Sequence, residues 1–458
     1  MDYKKSKIQI AGAGAGKTYS MAEHILEYDK LNLENKDIIA ITYTNTAKEN
    51  IYKKVYEKEF KIPERLKIYT IHSFLLEYII YPYSKFVLGK SYKKAVSIPL
   101  PSNFIFKNKR ISDLEKKEII HNDAVFSKAK QIIISSKSEP KLIKAKKEIV
   151  LNHILSSISA IFIDESQDLD DDVLRIIEKL SDNKIFVYMV GDPKQALKYP
   201  GKFEEFTKNI KEKQLYNFEC LDNNNITRRL PKSHVNISNL ICSDDQKQTT
   251  LNENEGKIYY IYSDDTNFNK IYNSFQNEKS ICYIKSKTTK FNTQHNRKLD
   301  SDILKEIIIN KNIYDDEDAF LYEKEKELYK LIDEKNNVEL GLKSFLGKYN
   351  LRLKKDVYAK IISSLEDSNS MEYNVYSIDK VKGLERKNCM FIINESLLNY
   401  LFGNKTERNK EMNYLYVGLT RSTDILLLVI DVSTLKNLKQ EQIDIIMKSL
   451  NIEKYGLE

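Results

Sequence analysis

The feature that most constrains the fold is a phosphate loop near the start of the chain. A short apolar strand at residues 8–10 runs directly into Ala11-Gly12-Ala13-Gly14-Ala15-Gly16-Lys17-Thr18, and a helix is predicted at 19–28. This arrangement is typical of a Walker A motif, in which small residues let backbone N–H groups turn towards phosphate oxygens at a helix N-terminus. Lys17 is expected to reach the β- and γ-phosphates, and the Thr18 hydroxyl is expected to bind Mg²⁺. The sequence therefore predicts nucleotide binding.

Length and composition bound the class of protein. A chain of 458 residues with 41% hydrophobic residues is expected to form about two to four packed domains. No apolar run is long enough for a membrane span, and the opening residues form the phosphate loop and not a targeting peptide, so no membrane association is expected. Four scattered cysteines without Cys-x-x-Cys spacing indicate reduced thiols and a cytoplasmic location.

The net charge of +8 is concentrated in one segment. Between Lys85 and Glu148 there are 16 Lys and Arg residues against 6 Asp and Glu residues, a balance of +10, so the rest of the chain sums to about −2. A basic segment on a near-neutral body suits a polyanionic partner such as DNA. A lysine-rich surface that merely faces solvent would give the same balance, and charge alone does not separate the two interpretations.

Two further strands are predicted to end in polar side chains. The strand at 37–42 leads into the hydroxyl-rich stretch 42–46, and the strand at 67–70 leads into 70–73. Strands that alternate with helices favour a parallel α/β sheet, whose ligands collect at the carboxyl ends of the strands. Hydroxyl, amide and aromatic side chains there can bind phosphates and stack on bases, although each taken singly is more often a cap or a turn.

A Walker B strand is predicted at 160–163, where an apolar run ends in Asp164 and Glu165. Asp164 fits the acid that holds Mg²⁺, and Glu165 fits the base that orients or deprotonates the attacking water. The pair favours hydrolysis of a nucleoside triphosphate over phosphoryl transfer to another substrate. Another strand, at 184–190, leads to Gln195, which either senses the γ-phosphate or belongs to an ordinary Gly-Asp-Pro turn.

Taken in order, these stretches resemble motifs I, Ia, Ib, II and III of the UvrD/Rep/PcrA group of superfamily 1 helicases. The phosphate loop of that family reads Ala-Gly-Ala-Gly-x-Gly-Lys-Thr, so Ala11 conforms to it. The C-terminal half continues the series with stretches that look like motifs IV, V and VI. The eight matches are residues 11–18, 39–47, 70–74, 164–168, 191–195, 227–239, 377–385 and 411–421.

The resemblance implies an α/β fold with two RecA-like P-loop NTPase domains and ATP bound between them. Each domain would be a parallel sheet with flanking helices, and each would carry a mainly helical insertion. The expected boundaries are 1–82 and 151–218 for domain 1A, 83–150 for the basic insertion 1B, 219–286 and 371–458 for domain 2A, and 287–370 for the insertion 2B. This 2B is short for the family.

The resemblance also assigns roles to single residues. Arg229 and Arg421 would be arginine fingers that reach the γ-phosphate across the cleft, so that hydrolysis depends on closure of the two domains. Lys382 would face the phosphates, and Glu385 would bind the ribose. The residues expected to contact single-stranded DNA are Tyr43, which would stack on a base, and Thr42, Asn45, Thr70 and His72, which would line the strand.

The chain departs from the family at several positions. Tyr19 and Arg228 stand where the family usually has Arg and Tyr, so either the two partners of an adenine sandwich are exchanged or the match is a coincidence. Asp379 replaces the usual His of motif V. The run after Gln195 lacks the usual motif III residues and leaves Tyr199 as the expected base-stacking aromatic. The few residues before the first strand leave no room for the family's adenine-reading Gln motif.

These features together predict a cytoplasmic ATP-dependent DNA helicase with ATP and Mg²⁺ as cofactors. It would act on single-stranded DNA and on junctions of single and double strands, with 3′ to 5′ polarity implied by the resemblance. The alternative is a regulatory subunit that senses DNA and nucleotide with little productive unwinding. Compact UvrD-like proteins occur beside OLD-family nucleases in Gabija-type antiphage systems, so a nuclease partner is also expected, whereas DNA repair or replication would be the housekeeping role. A P-loop kinase is disfavoured by Glu165 and by the two candidate fingers.

Overall fold

The computed structural model describes residues 3–32, 34–213, 217–293, 316–335, 337–350, 353, 355–367 and 373–456. The chain forms two compact units. Unit 1 comprises Met1–Tyr83, Phe126–Thr288 and Tyr376–Glu458, and unit 2 comprises Ser84–Val125 and Thr289–Val375. Within the described part of the chain, no helix combines the length and the apolar character needed to cross a membrane.

Strands and helices alternate along most of the chain. The strands are β1 Ser6–Ile10, β2 Asp37–Thr42, β3 Leu66–Thr70, β4 Lys94–Val96, β5 Ile119–His121, β6 Ile158–Ile163, β7 Phe186–Gly191, β8 Phe218–Cys220, β9 Ile226–Thr227, β10 Thr249–Thr250, β11 Lys257–Tyr262, β12 Ser280–Ile284, β13 Phe291–Thr293, β14 Tyr373–Ser377, β15 Arg386–Ile393, β16 Ser422–Ile430 and β17 Glu453–Lys454. The helices are α1 Lys17–Leu31, α2 Asn45–Glu59, α3 Ile71–Leu75, α4 Tyr81–Leu88, α5 Phe104–Lys116, α6 Asn122–Ile133, α7 Lys141–Ser157, α8 Asp171–Asp182, α9 Lys202–Lys213, α10 Lys232–Asn239, α11 Phe268–Ser274, α12 Glu317–Lys335, α13 Val338–Lys348, α14 Lys355–Asp367, α15 Ile378–Val381, α16 Glu395–Leu401, α17 Lys410–Leu419 and α18 Gln440–Ser449.

The first sheet of unit 1 has the strand order β3-β2-β6-β7-β1-β8, and every neighbouring pair is parallel. β6 is an apolar run that is buried along its whole length, and β2 is buried from Ile38 onward. Strands covered on both faces read as continuous apolar runs, because neither set of alternating side chains faces water. The carboxyl ends of β1, β2, β6 and β7 meet along one edge, which places the loops that follow them side by side.

The second sheet of unit 1 has the order β14-β12-β15-β16-β11-β17, again with only parallel neighbours. Its core is formed by the apolar residues of β11, β12, β15 and β16, packed against α17 and α18. At Gly418 of α17 a Cβ would lie 2.2 Å from the ring of Phe391, so only glycine allows the helix to approach the sheet this closely. Two parallel sheets with flanking helices confirm the predicted fold class.

Unit 2 is mainly helical. A parallel pair of strands, β4 and β5, packs with α5 around Leu114, and β13 pairs with the first three residues of β14. Helices α12 and α13 form a hairpin in which the backbone of Gly341 meets Ile332, since a Cβ on that glycine would lie 2.5 Å from the Ile332 Cα. Asp316, just before α12, is nearly buried and binds the guanidinium of Arg110 through both carboxylate oxygens.

The helix that follows β3 continues through Pro82. A proline usually ends a regular α-helix, but here the chain stays helical from α3 through a π-helical turn at Leu76–Ile80 into α4. Proline lacks an N–H group and crowds the preceding turn of a regular α-helix. In the wider π turn the N–H of Tyr81 bonds to the carbonyl of Leu76, five residues earlier, and the helix then needs no donor at residue 82.

The division into domains 1A, 1B, 2A and 2B stays a prediction. Unit 1 contains both sheets, and it also includes residues 126–150, which were expected in insertion 1B. Several parts of the predicted domains lie outside the described residues. They are 1–2, 33 and 214–216 of 1A, 371–372 and 457–458 of 2A, and 294–315, 336, 351–352, 354 and 368–370 of 2B.

Candidate nucleotide-binding site

The phosphate loop joins β1 to α1 at the carboxyl edge of the first sheet. Gly14 and Gly16 have φ angles of 70° and 79°, a region that L side chains rarely adopt, so the loop requires glycine at both positions. Gly16 also caps the N-terminus of α1. The Lys17 ammonium folds back over the loop and donates to the carbonyl oxygens of Ala11 and Gly12 at 3.4 and 3.2 Å. A cation and a helix N-terminus therefore face the space that the loop encloses, as binding of phosphates requires.

The two residues predicted to bind Mg²⁺ lie together. The Thr18 hydroxyl donates to Oδ2 of Asp164 at 2.7 Å. Asp164 is buried at the end of β6, and burial raises the pKa of its carboxyl, with a further rise from the adjacent charge of Glu165. Mg²⁺ takes hard oxygen ligands, usually one or two from the protein with water completing the shell. This donor set fits the ion, and the raised pKa reflects a buried carboxylate that lacks a full countercharge.

Glu165, the predicted base, is fixed by its backbone conformation and by two neighbouring side chains. Its φ of 57° and ψ of 38° place the backbone in the left-handed region, which is strained for a residue other than glycine and is often found at functional sites. The Gln167 amide donates to its carboxylate, and the Lys382 ammonium lies 3.6 Å from it. Burial raises the pKa of Glu165, but Lys382, Lys17 and the Gln167 hydrogen bond outweigh it, so the pKa lies below its ordinary value. The carboxylate is therefore ionised and can accept a proton.

Lys382 connects motif V to motif II. It was expected to face the phosphates, and here its ammonium donates to the buried carboxylate of Asp168 while remaining near Glu165. Asp168 is 3% exposed, and its Oδ1 has no hydrogen-bond partner among the described residues. Burial raises the pKa of Asp168 despite the opposing charge of Lys382. The single positive charge of this lysine is thus shared between two motif II carboxylates.

The Arg421 guanidinium is held in the interior of unit 1. It donates to the carbonyl oxygens of Val417 and Leu384 at 3.0 and 3.3 Å, and it makes a longer contact of 3.5 Å with Oε1 of Gln195. Burial lowers the pKa of Arg421 to about 10, with a further contribution from the nearby charge of Arg229. A side chain held by carbonyls in this way keeps its charge and is fixed in direction.

Arg229 approaches the phosphate loop from the other side. Its guanidinium donates to Glu385 at 2.9 Å and to the carbonyl of Thr420 at 3.1 Å, while its Nε is buried without a partner among the described residues. A Cβ on Gly14 would lie 2.8 Å from the Cβ of Arg229. Of the two predicted fingers, Arg229 therefore lies beside the phosphate loop, whereas Arg421 faces Gln195. Glu385, predicted to bind ribose, is half exposed and holds Arg229.

Gln195 lies between a buried acid and a finger. Its amide donates to Oδ2 of Asp192 at 2.9 Å, and its carbonyl oxygen faces Arg421. Asp192 is fully buried; burial raises its pKa, but Lys194 and Lys17 outweigh this, so the pKa lies below the usual range. Gln167 links this segment to motif II, because its Oε1 accepts from the Asp192 N–H at 2.9 Å. The position of Gln195 is compatible with the predicted sensing role.

The predicted adenine partners occupy different settings. Tyr19 is half exposed, and the ammonium of Lys58 lies 3.3 Å from the centre of its ring. Arg228 is exposed, and its backbone N–H donates to the carbonyl of Gly14 at 3.2 Å. The structure thus gives Tyr19 a cationic partner, but this partner is Lys58, and the sandwich with Arg228 stays a prediction.

Aromatic side chains cluster beside the nucleotide site. The Tyr43 ring has the Lys198 ammonium 3.7 Å from its centre and the His72 ring 6.2 Å away, edge to face. His72 lies 4.6 Å from the Phe126 ring. Burial raises the pKa of Tyr43, and the nearby Tyr199 adds to the rise. The structure therefore brings three of the predicted DNA contacts, Tyr43, His72 and Tyr199, into one cluster.

The other three predicted DNA contacts differ in exposure. Asn45 is exposed at the start of α2. Thr70 is partly buried and caps α3 by accepting from the Ser73 N–H at 3.2 Å. Thr42 is 1% exposed, and its hydroxyl has no partner among the described residues. Contact of these residues with DNA stays a prediction.

Four residues that were not singled out from the sequence also belong to the site: Gln167, Asp168, Asp192 and Lys198. The first three lie inside the stretches that resemble motifs II and III, so their positions carried a signal. Lys198 lies in the stretch where the chain departs from the family, and no sequence pattern pointed to it.

Comparisons with known proteins agree with the motifs. The family described as AAA domain matches residues 3–200. The Gabija protein GajB of Bacillus cereus (strain VD045) is 29% identical over 256 residues, which cover 51% of this chain and 50% of that protein. The chain thus aligns with about half the length of this relative. Together they confirm the resemblance to UvrD-like superfamily 1 helicases, including the compact GajB-like form.

A solved structure also aligns with most of the chain. It is the complex of arterivirus nonstructural protein 10, a helicase, with DNA. The TM-score is 0.36 at 8% identity, and the alignment covers 98% of this chain and 63% of that one.

Proposed function

We propose that this chain is an ATP-dependent DNA translocase and helicase of the UvrD-like type. The observation that supports the proposal most strongly is that two arginines from the second half of the chain reach the first, one near Glu165 and the other at the phosphate loop. Arg421 lies near enough to Glu165 to lower its pKa, and Arg229 packs against the phosphate loop at Gly14. Glu165 follows a strand of the first sheet, and the two arginines lie beside the second sheet. The base and the cations needed for hydrolysis therefore come together only when the two halves are in contact.

Binding of ATP would begin at the phosphate loop. Lys17 would exchange the carbonyls of Ala11 and Gly12 for the β- and γ-phosphate oxygens, which are stronger acceptors for an ammonium. Thr18 and Asp164 would hold Mg²⁺, which neutralises phosphate charge when bound. The loop amides at the start of α1 would supply the remaining donors.

Hydrolysis would then use the ionised carboxylate of Glu165. The base would accept a proton from the attacking water while Gln167 holds its carboxylate in place. Lys382, which lies near both Glu165 and Asp168, would help to keep the Glu165 carboxylate ionised. Arg229 and Arg421 would stabilise the charge that develops on the transferred phosphoryl group.

Movement on DNA would follow from the same contacts. If ATP favours the closed cleft and its products favour the open one, the two halves shift relative to each other once in every cycle. The aromatic cluster around Tyr43 would hold a base of the strand by stacking. We propose a 3′ to 5′ direction and action at junctions of single and double strands, as the helicase resemblance implies, and a cytoplasmic location, as the scattered cysteines indicate.

A second candidate is a regulatory subunit that senses DNA and nucleotide. The similarity to GajB, a protein named for the Gabija system, supports it. In this role the chain would bind a nuclease of the OLD family. ATP hydrolysis would signal the presence of DNA to the nuclease, with little unwinding of the duplex. The two candidates share the nucleotide site and differ in what hydrolysis drives.

The deciding experiment measures steady-state ATP hydrolysis by the full chain with and without single-stranded DNA. Lys17→Ala removes the cation that would bind the phosphates, and Glu165→Gln removes the proposed base. Both variants are expected to be inactive and serve as references. Strong stimulation by DNA that both substitutions abolish supports the motor, and unwinding of duplexes with 3′ or 5′ tails then gives the direction. Tight binding of ATP and DNA without stimulated turnover supports the sensor. Absence of ATP binding would contradict both candidates.

A further inference from the structure

A glutamine from the second half of the chain contacts the backbone of the phosphate loop. Gln248 lies just before β10 and is 3% exposed. Its side-chain amide donates to the carbonyl oxygen of Ala13 at 3.0 Å. Its own backbone is clamped by the Asn239 side chain, which accepts from the Gln248 N–H at 2.9 Å and donates to its carbonyl at 2.8 Å. The glutamine is therefore a rigid contact from α10 to the loop.

The same amide connects the loop to the helix that precedes Arg421. The Tyr416 hydroxyl, on α17, donates to Oε1 of Gln248 at 2.6 Å and also lies 3.4 Å from the Ala13 N–H. Tyr416 is buried, and burial raises its pKa well above the ordinary value, so the hydroxyl keeps its proton and remains a donor. Both polar groups of the Ala13 peptide thus face side chains from the second half.

Gly12 shows how closely the glutamine approaches. A Cβ at this residue would lie 2.4 Å from Cδ of Gln248. Gly12 does not have a positive φ, unlike Gly14 and Gly16, so its backbone would accept another residue. A side chain at position 12 would therefore displace the amide of Gln248 from its place on the loop.

We propose that Gln248 is a positioning residue for ATP hydrolysis, which ties the shape of the phosphate loop to the position of the helix before Arg421. The inference rests on the proposed function, since it assigns the contact to that reaction. A carbonyl oxygen does not bind phosphate, so the bond to Ala13 persists when nucleotide occupies the loop. The contact forms only while the two halves of the chain touch. It then fixes the position of the phosphate loop relative to α17, the helix before Arg421.

The test compares turnover with nucleotide affinity in the full chain. Gln248→Ala removes the contact, and Gln248→Glu keeps its size but replaces the donor with a carboxylate that faces a carbonyl. Each is expected to lower kcat for ATP about tenfold, the loss that one or two hydrogen bonds to a reacting assembly produce. The affinity for ADP, which needs the loop and not the fingers, is expected to stay within about threefold. Gln246→Ala, at an equally buried glutamine two residues earlier, is the matched control and is expected to leave kcat unchanged.

A second measurement separates positioning from a general structural role. Tyr416→Phe removes the other partner of the amide, so the double variant with Gln248→Ala is expected to be no slower than the worse single variant. An equal loss of ADP affinity, or effects on kcat that multiply in the double variant, would overturn the inference. Absence of hydrolysis by the unaltered chain would contradict the proposed function instead. In that case the inference is tested by nucleotide binding alone. Gln248→Ala is expected to lower the affinity for a non-hydrolysable ATP analogue more than it lowers the affinity for ADP, and an equal loss would overturn the inference.

Discussion

Lys382 binds the carboxylate of Asp168, although the two residues lie 214 positions apart in the chain. The lysine follows α15 beside the second sheet, and the aspartate follows β6 of the first. The Lys382 ammonium also lies 3.6 Å from Glu165. A positive charge from the second half of the chain therefore lies beside two carboxylates of the first half. The ionisation of the proposed base therefore depends on a residue of the other half.

Replacing Lys382 is expected to change the pH dependence of hydrolysis. Burial raises the pKa of Glu165, and Lys382 is the largest of the influences that lower it. Lys382→Met therefore raises this pKa, the base becomes protonated at higher pH, and kcat falls more at pH 6 than at pH 8. Profiles of kcat against pH measure the shift, with the exposed Lys387→Met as control. An unchanged acid limb would contradict the assignment of Glu165 as the base.

The stability of the Lys382 variant gives an independent readout. Removing the lysine leaves the buried Asp168 without its cation, a loss of about 3 kcal/mol in the free energy of unfolding. Adding Asp168→Asn removes the unpaired charge and is expected to recover most of this stability without recovering activity. Denaturant unfolding of the single and double variants measures the difference.

Substitutions of the neighbouring arginines 228 and 229 are expected to change different kinetic constants. Arg229→Ala removes a proposed finger and is expected to lower kcat at least about 100-fold, with a small change in KM. Arg228→Ala removes a proposed adenine partner and is expected to raise KM with little change in kcat, because base binding is equal in the ground and transition states. Steady-state kinetics with ATP distinguish the two. Equal effects on both constants at the two positions would contradict the division of roles.

Tyr43 is expected to act on DNA through its ring. Tyr43→Ala removes a stacking surface, and we expect the affinity for single-stranded DNA to fall about tenfold or more. Tyr43→Phe keeps the ring and is expected to bind DNA nearly as well as the unaltered chain. Fluorescence anisotropy with a labelled oligonucleotide measures both, and ATP hydrolysis without DNA serves as the control for folding. A matching loss in both variants would point to the hydroxyl instead.

The lysines of α7 are expected to divide into two classes. Lys147 is buried, donates to Glu139 at 2.7 Å and to the Ile134 carbonyl at 2.8 Å, and so belongs to the fold, not to a DNA-binding surface. Lys147→Ala is expected to lower the free energy of unfolding by about 1 to 2 kcal/mol, mainly because the Ile134 carbonyl loses its donor. Reversing the charges of Lys141 and Lys144 is expected to leave stability nearly unchanged and to weaken DNA binding most at low salt. Unchanged affinity over a salt series would remove α7 from the DNA-binding surface.

His234 is expected to make stability fall in acid. Burial lowers the pKa of this fully buried histidine to about 4, against an ordinary value near 6.5. The unfolded chain therefore binds the proton first, and stability present above pH 6.5 is lost as the pH falls towards 4, by roughly 2 kcal/mol at pH 5. His234→Gln is expected to remove this part of the loss. Urea unfolding at pH 7.5 and pH 5 measures it, with the exposed His153→Gln as control.

The sequence predicted the parts of the site that depend on local patterns. The strand–loop–helix around Lys17 and the carboxylates that end β6 follow from neighbouring residues, and the order of the motifs supplied both candidate fingers. Contacts between distant segments were not predicted, because nothing local to Asp168 or Gln248 reveals the partner. Pro82 illustrates a similar limit, because no local pattern shows the π turn that lets the helix continue through it.

The left-handed backbone of Glu165 has a consequence for how this protein changes under selection. Glycine at that position would relieve strain of about 1 to 3 kcal/mol and give a more stable chain without a base. Selection for solubility or heat resistance alone would therefore favour the loss of Glu165, and with it the proposed base. Preserving turnover requires that every round of such engineering also reward ATP consumption.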